Sequence, residues 1–91
     1  MQKYVIERRL PGAGTLSADE LTAISTKSNE ILAAMAPRVQ WVQSYVTDDA
    51  LFCVYLGDDT AAILEHARRG GFPADAVHAV RTIIDPMTAE A

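Results

Sequence analysis

Cys53, His66, His78 and the phenols Tyr45 and Tyr55 are the side chains in this sequence whose chemistry suits a borderline metal or a nucleophilic step. A cysteine acts as ligand or nucleophile only as the thiolate, which needs a nearby positive charge or metal; a free cysteine is also commonly a small, inert core residue. Position 53 by itself fits either role. His66 follows Glu65 in a helical stretch, on the flank of the apolar stripe, so its imidazole either reaches past a sheet edge or sits in solvent. Imidazole is the commonest transition-metal ligand, but a single one makes no motif. His78, near the start of the last strand, is the weaker of the two histidines.

The sequence contains no Cys-x-x-Cys, no His-Glu-x-x-His and no pair of histidines at helical spacing, which excludes the recognised zinc motifs. Neither histidine is marked as the partner of a particular serine, so a triad is not indicated. Pro11-Gly12-Ala13-Gly14 and Gly70-Gly71 read as a turn and a helix cap rather than phosphate loops, and Asp48-Asp49 reads as turn chemistry rather than a hard-cation site. Arg68-Arg69 complement a helix C-terminus. Standard enzyme signatures are absent.

Positioning these groups falls to six elements. Lys3 to Arg9 reads as a strand stopped by Pro11-Gly12. Ser17-Ala18-Asp19-Glu20 has the form of a capping box, with Leu16 and Leu21 at the spacing of a hydrophobic staple. The helix it opens carries Leu21, Ile24, Ile31, Leu32 and Met35 on one stripe, with Ser28 among them, and Pro37 sets its stop. Val39 to Thr47 and Leu51 to Leu56 read as a hairpin. A second helix, capped by Asp58 or Asp59 and packing through Ile63 and Ala67, ends at Gly70-Gly71; a last strand spans roughly Val77 to Asp85.

Opposed residues of an antiparallel pair share a face, so the hairpin loop decides which side chains meet. A two-residue turn pairs Tyr45 with Phe52 and Val42 with Tyr55, mixing polar and apolar groups on both faces. A three-residue turn pairs Val46 with Phe52, Ser44 with Val54 and Val42 with Leu56, giving one apolar face. The second register is the expectation, and it turns Trp41, Gln43, Tyr45, Cys53 and Tyr55 away from the helices.

The order strand, helix, strand, strand, helix, strand predicts an α+β ferredoxin-like βαββαβ domain, a four-stranded antiparallel sheet with both helices on one face. Trp41, Tyr45, Tyr55 and Ile83 on the bare face would form a large apolar patch, and such patches mark interfaces. A homodimer of the dimeric α/β-barrel type would cover it. Glu7, Gln43, Tyr45, Cys53, Tyr55 and Arg81 would then line or rim an inter-sheet pocket, with Ile6 turned inward.

The chain's 91 residues set one domain, expected over 1–86 with a loose tail at 87–91. A chain this short buries only about two-thirds of its unfolded surface and gains margin from a disulfide, a metal or a partner. One cysteine excludes an intrachain disulfide. A net charge of -4 repels polyanions, so nucleic acid is not an expected partner. Met1 leads straight into Tyr4-Val5-Ile6-Glu7 without an apolar run for export or a bilayer, which predicts a cytoplasmic protein with no membrane partner.

Taken together, Trp41-Val42-Gln43-Ser44-Tyr45-Val46-Thr47-Asp48-Asp49, then Cys53-Val54-Tyr55, then His66-Ala67-Arg68-Arg69-Gly70-Gly71-Phe72-Pro73 resemble a bacterial family of small nickel-binding proteins, a domain of unknown function. The resemblance runs from the opening strand to Asp85. It implies a dimeric ferredoxin-like protein that binds nickel as a buffer, carrier or sensor, with no established catalytic reaction. Cys53, His66, Tyr45 and Glu7 form a ligand set acceptable to nickel, which takes imidazole, thiolate and oxygen donors. The family pattern often has histidine two positions before Tyr45, where this chain has Gln43 with only an amide oxygen to offer. The competing reading, from fold analogy, is a cofactor-free monooxygenase- or isomerase-like enzyme holding a small molecule among Trp41, Tyr45, Tyr55 and Arg81.

Overall fold

A computed structural model describes residues 1–90. Four strands, β1 (Gln2–Arg9), β2 (Val39–Val46), β3 (Ala50–Gly57) and β4 (Ala76–Ala79), form a sheet in the order β2-β3-β1-β4 with antiparallel pairing throughout. Helix α1 (Ala18–Met35) connects β1 to β2 and helix α2 (Thr60–Gly70) connects β3 to β4. The architecture is α+β and ferredoxin-like, as the element order predicts.

The helix termini form where the sequence places them. Ser17 Oγ accepts from Glu20 N at 3.1 Å and Ser17 N donates to Glu20 Oε1 at 3.0 Å, completing the capping box. Asp59, not Asp58, caps α2 by accepting from Ala62 N at 2.8 Å. Gly71 adopts φ +66°, the left-handed geometry of a C-cap. Its neighbour Gly70 has a different reason to lack a side chain, since a Cβ there would overlap the Phe72 ring.

The core lies between the helices and one sheet face, where Tyr4, Ile6, Cys53 and Tyr55 cluster with Met35, Ala62 and Ile63. Strand β1 alternates cleanly, with Tyr4, Ile6 and Arg8 buried and Glu7 exposed, so Ile6 does turn inward.

The hairpin overturns the expected parity. Thr47 N donates to Ala50 O at 2.9 Å across Asp48-Asp49, and Tyr45 pairs with Phe52: this is the two-residue turn. A bulge between Trp41 and Gln43 removes one of the two mixed pairs that argued against that register, Val42 with Tyr55. Val42 is the extra residue, so Trp41 rather than Val42 stands opposite Tyr55, and the alternation reverses once within β2. Trp41, Ser44, Val46, Leu51, Cys53 and Tyr55 therefore share the helix-covered face, while Gln43, Tyr45, Phe52, Val54 and Leu56 share the open one.

The last strand is also shorter than the expected 77–85. Pairing with β1 ends at Ala79, and the chain continues without strand structure to a 3-10 turn at Pro86–Glu90. Ile83, Ile84 and Met87 are exposed along it, so Ile83 and Arg81 lie beyond the sheet rather than on its bare face. Of the tail expected at 87–91, Ala91 lies outside the described residues. No helix among the described residues is long and apolar enough to cross a membrane.

Candidate functional site

Two separate places receive the residues singled out from the sequence. On the open sheet face stand Glu7, Gln43 and Tyr45. Glu7 Oε1 lies 3.5 Å from His78 Nε2 on the neighbouring strand, and both side chains are about half exposed. Gln43 Nε2 donates to Tyr45 Oη at 2.6 Å, which occupies the phenol and turns the amide toward it. His78, the weaker histidine in the sequence, is thus the one beside a carboxylate. The signal was its position one strand over from Glu7, which only the β1–β4 register reveals.

Cys53, Tyr55, Trp41 and His66 are all on the other side, beneath the helices. The expected set of Cys53, His66, Tyr45 and Glu7 is therefore divided by the sheet: the two-residue turn pairs Tyr45 with Phe52 and Ser44 with Cys53, which puts Cys53 and Tyr45 on opposite faces, as Ile6 and Glu7 are on β1. Among the described residues no group of three or more His, Cys, Asp or Glu side chains is placed to hold a metal ion. The pocket expected between sheets from Trp41, Gln43, Tyr55 and Arg81 is likewise divided, since only Gln43 of these stays on the open face.

His66 is fully buried rather than flanking the helix stripe. Its Nε2 lies 3.1 Å from Ser28 Oγ of α1, its ring is tilted against Tyr55 at 5.2 Å and Phe72 at 5.6 Å, and Nδ1 has no partner. Burial, reinforced by the positive charge of Arg8, lowers its pKa from 6.5 to about 4, so the imidazole is neutral at pH 7. Burial also raises Tyr55 above the usual phenol value, with the Arg8 charge opposing. This histidine works as a polar core residue that ties the two helices together.

Beside this cluster is a cavity of about 370 Å³ between α1 and the sheet, lined among others by Arg8, Ser28, Trp41, Cys53, Tyr55 and Phe72. Arg8, read from sequence only as the end of a strand, is the residue that inspection missed. The alternation Tyr4, Ile6, Arg8 was the available signal, because a charge in register with two core positions must be buried.

Residues 4–80 match the model of a family described as "Nickel responsive protein SCO4226-like". The chain belongs to the SCO4226-like family. The match covers most of the chain and agrees with the resemblance drawn from the Trp41 to Pro73 pieces. Among solved structures, SCO4226 from Streptomyces coelicolor A3(2) aligns with a TM-score of 0.75 at 18% identity, covering 90% of this chain and 99% of that one. At this identity the likeness supports the ferredoxin-like fold alone. No curated protein matches the chain at a significant level.

Proposed function

We propose that this SCO4226-like protein binds nickel, or a similar divalent transition metal, on the open face of its sheet, as a buffer, carrier or sensor inside the cell. The observation that carries the reading is the Glu7–His78 pair, an imidazole and a carboxylate 3.5 Å apart and open to solvent. Nickel accepts both donor types, and a hydrated ion can keep water in its remaining positions. The family description supports the choice of metal. Cys53 and His66 drop out of the ligand set because both are enclosed in the core.

Two donors make an incomplete site, and a second copy of the chain would add two more. The open face favours such a partner. Strand β3 is apolar on both sides, with Phe52, Val54 and Leu56 opposite its core residues Cys53 and Tyr55, a pattern suited to a strand covered on both faces. Val42 and Tyr45 are more than half exposed on the adjoining strand. Sheet-to-sheet dimerisation would bury these side chains and bring the Glu7–His78 pairs into a shared layer.

Titration calorimetry of untagged, metal-free protein with nickel chloride tests the site. The apparent affinity should fall at least tenfold in both Glu7→Gln and His78→Ala, with the heat released at a given nickel concentration falling accordingly, and both should stay unchanged in Cys53→Ala. Equal heats in wild type, Glu7→Gln and His78→Ala would sink the reading. Gln43→His adds an imidazole on the same face and provides a gain-of-binding comparison.

A further inference from the structure

Arg8 is 4% exposed, yet it has no carboxylate partner among the described residues. Its Nη1 donates to the Pro73 carbonyl, and its Nη2 is buried without any hydrogen bond. The guanidinium carbon lies 5.9 Å from the Tyr55 ring centroid and 5.6 Å from that of Phe72. Cation–π contacts offset part of the cost of burial but supply no charge-neutralising hydrogen bond. A buried charge that is left unpaired is costly, and proteins keep one where something else completes it.

The wall that Arg8 joins belongs to the 370 Å³ cavity, which falls within the roughly 300–1,000 Å³ range of small-molecule sites. The rest of the lining is mainly apolar, from Leu21, Ile24, Leu51 and Trp41 among others, with the Ser25, Ser28 and Ser44 hydroxyls, the Tyr55 phenol and the Cys53 thiol as the polar exceptions. Lys27, whose Nζ stands 5.7 Å from the ring of the lining residue Phe72, adds to the positive field. An apolar chamber with a cation and no acid in its wall is complementary to an amphipathic anion. Arg is suited to the anion's end because its planar fork receives a carboxylate in two parallel hydrogen bonds.

We propose that the cavity between α1 and the sheet binds a small organic carboxylate with an apolar body, the carboxylate pairing with Arg8 and the body filling the space against Trp41, Leu21 and Ile24. The site is independent of the nickel reading, since it lies on the opposite side of the sheet. Neither assignment fails with the other.

Trp41 is the chain's only tryptophan and lines the cavity, so its fluorescence reports occupancy directly. Wild-type protein at pH 7 is titrated with octanoate and 2-naphthoate, and with the neutral octanol and 2-naphthol of matching shape. At least one carboxylate should change Trp41 emission saturably, with an affinity about tenfold or more above that of its alcohol. In Arg8→Met, which keeps the stem's volume, the preference for the anion should vanish while the alcohol still binds. If that variant does not fold, thermal melts of wild type decide: the carboxylate must raise the midpoint and its alcohol must not. Equal binding of acid and alcohol would leave only a plain apolar groove with Arg8 held structurally by Pro73, and would overturn the proposal. So would no Trp41 response to either acid, the result expected if a second copy of the chain already fills the groove.

Discussion

His66 is the residue whose environment makes the sharpest quantitative statement. Its folded pKa of about 4 lies below the ordinary 6.5, through burial first and the charge of Arg8 second. As pH falls below 6.5 the unfolded chain takes up a proton on this imidazole, while the folded chain resists until about 4. The contribution to stability is thus fully present above pH 6.5 and is lost as pH drops toward 4, amounting to up to roughly 3 kcal/mol over that window. Urea unfolding followed at pH 7.5, 6 and 4.5 should show this loss in wild type. His66→Gln, which keeps a polar partner for Ser28 but cannot titrate, should lose less stability over the same interval. Identical pH slopes for the two proteins would mean that the imidazole is hydrated or partnered in solution. Neutral His66 also explains how Arg8 and a histidine share one core, since no second cation arises there at physiological pH.

At the scale of elements, the hairpin shows how one extra residue reassigns a whole set of side chains. Trp41 stands opposite Tyr55 and Gln43 opposite Val54, with Val42 unpaired between them and 51% exposed. Deleting Val42 should therefore close the bulge without changing any partner: Trp41 would keep its place beneath the helices, and stability should change by no more than about 1–2 kcal/mol. Intrinsic fluorescence checks this, with emission in the deletion variant remaining that of the partly buried wild-type indole; a shift to the emission of a solvated one would show that Val42 sets the register. The same strand marks the limit of what the sequence disclosed. Both helices, the Ser17–Glu20 capping box and the Gly70-Gly71 stop follow from local spacing, because capping boxes and glycine C-caps act within a few residues; the length of the hairpin turn does not. The bulge has no comparable local mark. The three-residue turn assigned Cys53 and Tyr55 to the open face, and period-two reasoning across the bulge sent Trp41 with them; the two-residue turn returns the first two beneath the helices and the bulge returns Trp41. Arg8 was legible only through the alternation of Tyr4 and Ile6, and the Glu7–His78 pair only through long-range register between the first and last strands.

For the whole molecule, the division of the sheet into an enclosed face and an open face leads to the question of assembly. The open face carries Phe52, Val54, Leu56 and Val5 on the two central strands, with Tyr45 and Val42 at one side, and the chain beyond β4 leaves Ile83, Ile84 and Met87 exposed. Scattered exposed apolar residues are ordinary, but those of the open sheet face adjoin one another on a domain too small to gain much from a single core. A copy related by a two-fold axis presents the same surface to itself, so covering one face covers both. Val54 lies on β3 in the same row as Gln43, Val5 and His78, near the middle of that surface. Val54→Lys would set two desolvated ammonium groups against each other across such an axis, a cost of several kcal/mol that the lost apolar burial increases. Sedimentation equilibrium at tens of micromolar should give wild type a mass of twice 9.9 kDa and the variant a mass near 9.9 kDa with its circular dichroism unchanged. A wild-type monomer would remove the second copy from the nickel site and leave Glu7 and His78 with water as their only co-ligands. A Val54→Lys protein that stays dimeric would move the interface elsewhere, and the arm of residues 80–90 is the surface to which it would move.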